Sequence, residues 1–292
     1  MWRFFAEPFE VGFMRRAMLE VVLLGALGGI VGVYVLLRRL AFLTEVVQHT
    51  VFPGIAIAFA FGQSLLLGAL VAGTASVVLV TIGSHRRRID PDALMAVLVA
   101  TFFALGVVVV SRRRGFQSDL TALLFGRILS VDQRELIDTV VVASICVVVL
   151  ALLHKEFVMR AFDPEATRAM GYSLTRLDLV LNLVIMLAVV VSVRAVGTVL
   201  VVAFVVTPAA VARLLSRRVA GMLVIAASFG AVGGWFGLAI SYEGSVHHGW
   251  RLASGATVVM VFTLGFVVIA ALRGFRRTPT HDADIVSARV AP

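Results

Sequence analysis

The chain has 292 residues, 60% of them hydrophobic and 15% charged, with a mean hydropathy of +1.02. Apolar runs of about 18 or more residues recur along its length, each long enough to cross a bilayer core, which excludes an ordinary soluble domain. The net charge of +9 comes in short arginine clusters at the ends of those runs, the pattern of cytoplasmic membrane loops rather than of a nucleic-acid-binding surface.

Residues 1–16 carry Arg3, Glu7, Pro8, Glu10, Arg15 and Arg16 among aromatics and read as a short N-terminal interfacial segment. A transmembrane domain is expected over 17–273, with apolar runs at about 18–37, 46–62, 64–83, 93–111, 136–153, 178–193, 196–215, 220–240 and 254–272. The first run is followed by Arg38-Arg39 rather than a small-residue cleavage site, so it reads as a span and not as a signal peptide. The run at 196–215 contains Thr207-Pro208, which leaves it open as a broken or re-entrant helix and the total at eight or nine spans. With nine spans and the first loop inside, Arg38-Arg39, Arg86-Arg87-Arg88, the loop 154–177, Arg213 with Arg217-Arg218, and the tail arginines all lie in the cytoplasm. Arg112-Arg113-Arg114 and the N-terminal arginines lie opposite.

The stretch Arg38-Arg39-Leu40-Ala41-Phe42-Leu43-Thr44-Glu45-Val46-Val47-Gln48-His49-Thr50-Val51-Phe52-Pro53-Gly54 is the most informative. Glu45 and His49 are four apart and project from the same helical face. A carboxylate and an imidazole so placed either bind a divalent cation or form a hydrogen-bonded pair that stabilises a bundle. Ionisable groups at membrane depth usually face a cavity or a pathway. Pro53 has no amide hydrogen, which deprives the His49 carbonyl of its helical donor beside the candidate ligands.

Further along, Leu120-Thr121-Ala122-Leu123-Leu124-Phe125-Gly126-Arg127 lies in the long polar connection 112–135, as a connector packed on the helices or a segment with a direct role. The single cysteine, Cys146, excludes a disulfide framework and a cysteine-based zinc site, and reads as a small hydrophobe. Lys155, the sole lysine, follows Leu153-His154 and lacks the glycines of a phosphate-binding loop, so the chain carries no such ATPase. In the loop 154–177, Phe162-Asp163-Pro164-Glu165-Ala166-Thr167-Arg168-Ala169-Met170-Gly171 has an N-cap, a first-turn proline and a stop glycine. A short capped helix of that kind is a docking handle or a mere connector.

Ala203, Ala209, Ala210 and Ala212 allow close helix approach around Pro208, with helix packing as the first role and pore lining as the second. Glu243 and His247, again four apart, and His248 fall in an expected outer loop, 241–253, where they collect metal or are simply solvated. His85 and His154 are expected to meet headgroups at cytoplasmic ends. His281 belongs to a flexible cytoplasmic tail, 274–292.

The Arg38–Gly54 stretch resembles the second helix of the permease subunits of metal-ion ABC importers, the ABC-3 type that takes up manganese, zinc or iron. The family's arginine pair, carboxylate, histidine and Pro-Gly fall on Arg38-Arg39, Glu45, His49 and Pro53-Gly54, with Glu45 where the family usually has Asp. Phe162–Gly171 resembles the family's coupling helix, Val196–Leu215 its Val-Gly-x-Leu-Leu helix, and Leu252–Val259 the start of its final helix, so the likeness runs from about residue 15 to 272.

The resemblance implies an all-α polytopic permease fold of about eight to nine transmembrane helices with a short cytoplasmic coupling helix, in a prokaryotic cytoplasmic membrane. It implies a homodimer in the lipid bilayer, a separate cytoplasmic ATPase, an extracytoplasmic metal-binding protein, and a divalent cargo with no permanently bound cofactor. Phe162, Asp163, Pro164, Glu165, Ala166, Arg168 and Gly171 would then engage the ATPase, and Pro53, Gly54, Thr207 and Pro208 would line or gate the pathway. A second copy would bring its own Glu-His pair to complete the metal site. Two other classes fit less well. A secondary carrier has no use for the capped loop helix, and an intramembrane metalloprotease needs His-Glu-x-x-His, which does not occur.

Overall fold

The computed structural model describes residues 12–85, 90–111, 126–247, 250 and 252–274, and no strand occurs among them. The helices, in chain order, are α1 (Gly12–Leu37), α2 (Ala41–Ala60), α3 (Leu65–His85), α4 (Pro91–Ser111), α5 (Gln133–Leu152), α6 (His154–Phe162), α7 (Pro164–Ala169), α8 (Leu174–Val196), α9 (Thr198–Leu215), α10 (Val219–Val246) and α11 (Ser254–Gly274). A single 3-10 turn, Ile128–Ser130, precedes α5. The expected interfacial segment, Arg86–Arg88, Arg112–Arg114, Leu120–Phe125, His248 and His281 in the tail lie wholly or largely outside the described residues; residues 12–16 already belong to α1.

Eight of these helices are long and apolar enough to cross a membrane, while α9 has a shorter apolar stretch, Leu200–Leu215. Neighbouring contacts nevertheless show where α9 runs. A Cβ added at Gly28 of α1 would meet Phe204, and one at Gly32 would meet Val205 and Ala209, so α9 lies parallel to α1. It starts beside Arg127, whose amide donates to the Ala195 carbonyl at 3.0 Å, and it ends where Arg273 of α11 donates to the Leu215 carbonyl at 3.3 Å. Helix α9 therefore traverses the bundle from one end to the other, and it does so without a break at Pro208. The break that Pro208 left open does not occur, because neighbouring helices hold the segment: Phe204, Val205, Ala209 and Ala212 are fully buried.

Helix α1 is the hub, packed mainly on α9 and α10, with α2 packed on α3 and α4. In a membrane, helices are not driven together by escape from water, so close backbone approach and interhelical hydrogen bonds carry the association. At the α1–α10 crossing, a Cβ on Gly25 would collide with the Gly230 carbonyl, and one on Gly29 with that of Ala226. At the α2–α3 crossing, Gly54 and Gly68 face each other in the same way. Two side-chain bonds reinforce this side: Thr50 donates to Ser76 at 2.9 Å, and Asn182 of α8 donates to Thr81 of α3 at 3.0 Å. By contrast, α4, α5 and α11 expose Val97 and Val108, Val141 and Val148, and Val267 and Val268, as lipid-facing helices should.

Candidate functional site

Glu45 and His49 lie on one face of α2, with Nε2 of His49 and Oε1 of Glu45 3.2 Å apart. His49 is the ninth residue of the 20-residue helix Ala41–Ala60, near its midpoint. Around them, Leu43, Val46, Val47, Gln48, Thr50 and Val51 are all buried, whereas the side chains of Glu45 and His49 remain 40% and 34% exposed. The pair thus looks out of a stretch of α2, residues 43–56, whose other residues are all buried. The His49 ring meets Phe103 of α4 edge-on, with centroids 6.3 Å apart, and Phe52 packs on the same Phe103. Among the described residues, no group of three or more His, Cys, Asp or Glu side chains could hold a metal ion. One copy of the chain therefore offers two neighbouring donors at this place.

The helix passes through Pro53 unbroken. Pro53 and Gly54 border an apolar groove of about 520 Å³ between α2, α3 and α4, which does not include Glu45 or His49. Pro208 is buried and Thr207 half-buried within α9. Ala209 and Ala212 are buried against Val33, Met222 and Ala226, so the small residues of this helix serve packing.

Glu243 and His247 do not sit in a loop. Helix α10 continues to Val246, and the Glu243 carbonyl accepts from the His247 amide at 3.0 Å, so both residues belong to the final helical turn. Their side chains pair at 3.2 Å. His154 also departs from expectation. Its Nδ1 lies 2.7 Å from the Tyr34 hydroxyl, half-buried between α1 and α6, so a protein partner replaces the expected headgroup contact.

At the other end of α2 lies the segment that carries the capped helix. The Asp163 carboxylate accepts from the Ala166 amide at 2.9 Å, Pro164 opens α7, and Gly171 takes a left-handed backbone (φ 86°) just beyond its end. Only Thr167 is buried; Phe162, Asp163, Pro164, Glu165, Arg168, Met170 and Gly171 are exposed and Ala166 is half-buried. A six-residue helix has too few internal hydrogen bonds to stand alone, so its cap and its attachment hold it.

That attachment is α6, a second helix that the sequence reading folded into the loop. Asp178 of α8, 8% exposed, accepts from Arg38 at 2.7 Å and from Arg160 of α6 at 2.9 Å. Phe157 of α6 packs edge-on against Tyr34 of α1. Burial pushes the Arg38 guanidinium down from its usual range, and the Asp178 charge pushes it back up. Just beyond Arg38, Arg39 adopts φ 55°, and the Leu40 amide donates back to the Val35 carbonyl at 2.8 Å. This closed turn links the end of α1 directly to the start of α2.

A second ionic cluster, absent from the sequence reading, closes the opposite end of the bundle. Arg194 of α8 pairs with Asp138 at 3.1 Å and Glu135 at 3.3 Å. The buried Glu20 accepts from Thr139 at 2.6 Å, and Arg16 donates to the Val131 carbonyl at 3.2 Å. These partners lie more than 50 residues apart in the chain, and only the charged types within apolar runs hinted at them. Gln48, buried beside His49, has a side-chain oxygen without a hydrogen-bond partner among the described residues, which nothing in the sequence signals.

A bundle of apolar helices with a carboxylate–imidazole pair at mid-helix and an exposed capped helix at one end has the form of a multi-pass transport permease. The profile of the ABC 3 transport family matches residues 10–273, and the chain belongs to that family. It is 33% identical over 259 residues to the manganese transport system membrane protein MntC of Listeria monocytogenes, covering 89% of this chain and 90% of that one. It is 31% identical over 263 residues to the chelated iron transport system membrane protein YfeD of Yersinia pestis, covering 90% and 86%. The solved structure of PsaBC from Streptococcus pneumoniae in complex with Fab is similar, with a TM-score of 0.81 and 26% identity, covering 92% of this chain and 95% of that one. The chain is a multi-pass protein of the prokaryotic cell membrane.

Proposed function

We propose that this chain is the pore-forming permease of an ATP-driven importer of divalent transition metal ions, manganese, zinc or iron, with ATP hydrolysis in a separate subunit. The observation that carries the reading is the Glu45–His49 pair, half-exposed near the midpoint of a membrane helix within a stretch, residues 43–56, that is otherwise buried. A hard carboxylate oxygen and an imidazole nitrogen together suit manganese, iron or zinc. Two donors hold a metal weakly, and weak binding is what a pathway needs in order to release its cargo. In a homodimer the second copy brings the same pair, and four donors converge if the pairs meet at the two-fold axis.

ATP binding in the partner would move α7, and α6 would carry that movement to α1 through Asp178, Arg160 and the Tyr34–His154 contact. The closed turn at Arg39 would pass it to α2 and so to Glu45 and His49. An extracytoplasmic metal-binding protein would deliver the ion to the opposite end, where Glu243 and His247 offer a first contact. The kinship to manganese and iron transport proteins supports the cargo class.

The test is metal accumulation in importer-deficient cells that also express the partner subunits, comparing the native chain with His49→Ala. Accumulation of one metal that stops with His49→Ala supports the reading. Equal accumulation with both chains overturns the role of α2.

A further inference from the structure

Where α9 and α11 end, Arg213, Leu214, Leu215, Ser216, Arg217, Ala270 and Arg273 enclose a cavity of about 310 Å³. Three of these seven residues are arginines and none is acidic. Arg273 donates to the Leu215 carbonyl, and no ion pair joins Arg213 or Arg217 to a carboxylate among the described residues. Directly beside this cavity runs a second one of about 230 Å³, lined by Leu215, Ile269, Leu272 and Arg273. Leu215 and Arg273 are common to both, so a basic chamber opens onto an apolar groove. Leu215 is 39% and Leu272 63% exposed on the groove.

The place in the bundle matters. Helix α9 runs parallel to α1, so Leu215 lies at the same end as Arg38 and the α6–α7 segment, the end that the arginine distribution assigns to the cytoplasm. There the bilayer presents phosphate groups with acyl chains attached, and basic pockets between helices on that side recognise anionic headgroups. We propose that the α9–α11 cavity is a binding site for an anionic phospholipid, its phosphate held by Arg213, Arg217 and Arg273 and one acyl chain laid along Leu215, Ile269 and Leu272. A free phosphate would satisfy the basic chamber alone. The adjoining groove is what specifies a lipid.

Native mass spectrometry of the full-length chain in neutral detergent tests this, with phosphatidylglycerol and phosphatidylcholine of the same acyl chains as probes. The native chain is expected to retain phosphatidylglycerol about tenfold over phosphatidylcholine, a preference that the combined Arg213→Gln, Arg217→Gln and Arg273→Gln variant abolishes. Arg218→Gln, which removes one positive charge beside the cavity but not within it, is expected to leave the preference intact. Equal retention of the two lipids, a preference that survives the triple substitution, or an equal loss with Arg218→Gln overturns the site. Displacement of phosphatidylglycerol by inorganic phosphate overturns its assignment to lipid. If the triple variant cannot be purified, Arg217→Gln alone decides: it lies on the exposed connector, and an unchanged preference there overturns the proposal.

Discussion

Arg38, the residue that follows α1, reaches Asp178 on α8 at 2.7 Å, and the same carboxylate holds Arg160 of α6 on its other oxygen. One buried acid thus joins the end of α1, the membrane helix α8 and the helix that leads to α7. Removing the acid leaves two guanidinium groups facing each other with little water. Loss of one partner from a buried ion pair costs about 3–5 kcal/mol, at the lower end here because the side chains retain 10–16% exposure. Asp178→Asn is expected to lower the thermal midpoint of the purified chain and, in liposomes with its partners, to reduce metal transported per ATP hydrolysed. Asp178→Glu should recover part of both, and an unchanged transport ratio in Asp178→Asn would remove this link from the coupling route.

Glu45 and His49 present the opposite balance. They are half-exposed, and a side-chain pair of that kind contributes only about 0–1 kcal/mol to stability. Glu45→Gln and His49→Gln should therefore leave the thermal midpoint nearly unchanged while cutting metal uptake at least about tenfold, equivalent to about 1.4 kcal/mol of lost ion stabilisation. Parallel melting and uptake curves, falling together, would mark the pair as structural.

Gly54 tests the packing argument. A methyl group there must displace the Gly68 carbonyl and the Ala72 side chain, and overpacking of a tight contact costs about 1–3 kcal/mol. Gly54→Ala is expected to lower the thermal midpoint, whereas Gly12→Ala, which meets nothing within 4 Å, should not.

The capped helix α7 separates local from interfacial effects. Asp163→Ala removes the bond to the Ala166 amide and should cost about 1 kcal/mol of local stability. Glu165→Arg leaves that cap in place and reverses an exposed charge. Both should reduce co-purification of the ATPase subunit; if only Asp163→Ala does, the helix matters as structure and not as a contact surface.

Much of this was legible because it is local. All nine apolar runs are helices, since length and apolarity in sequence are what a bilayer selects. The Glu45–His49 pairing follows from four-residue spacing alone, and the α7 cap from the order Asp-Pro. The ionic clusters were not legible: Asp178 and Arg194 sit within or beside apolar runs, and their partners come from other helices by tertiary packing. Helix α6 reads as loop in the sequence because His154, Lys155, Glu156 and Arg160 make it polar, although Phe157 anchors it in the core. Pro208 misled in the other direction. It left a break open, yet α9 continues through it because neighbours enclose the segment.

Because α9 runs parallel to α1, the number of traverses is odd: α1 to α5, then α8 to α11. The start of α1 and the end of α11 accordingly lie at opposite ends of the bundle. If the Arg38 end is the cytoplasmic one, Arg15 and Arg16 at the start of α1 lie on the far side, against the usual preference for retaining positive charge inside. There Arg16 is held by the Val131 carbonyl ahead of α5. Nine traverses among the described helices do not divide into two equal halves, so a two-fold symmetry of the bundle has to come from a second copy.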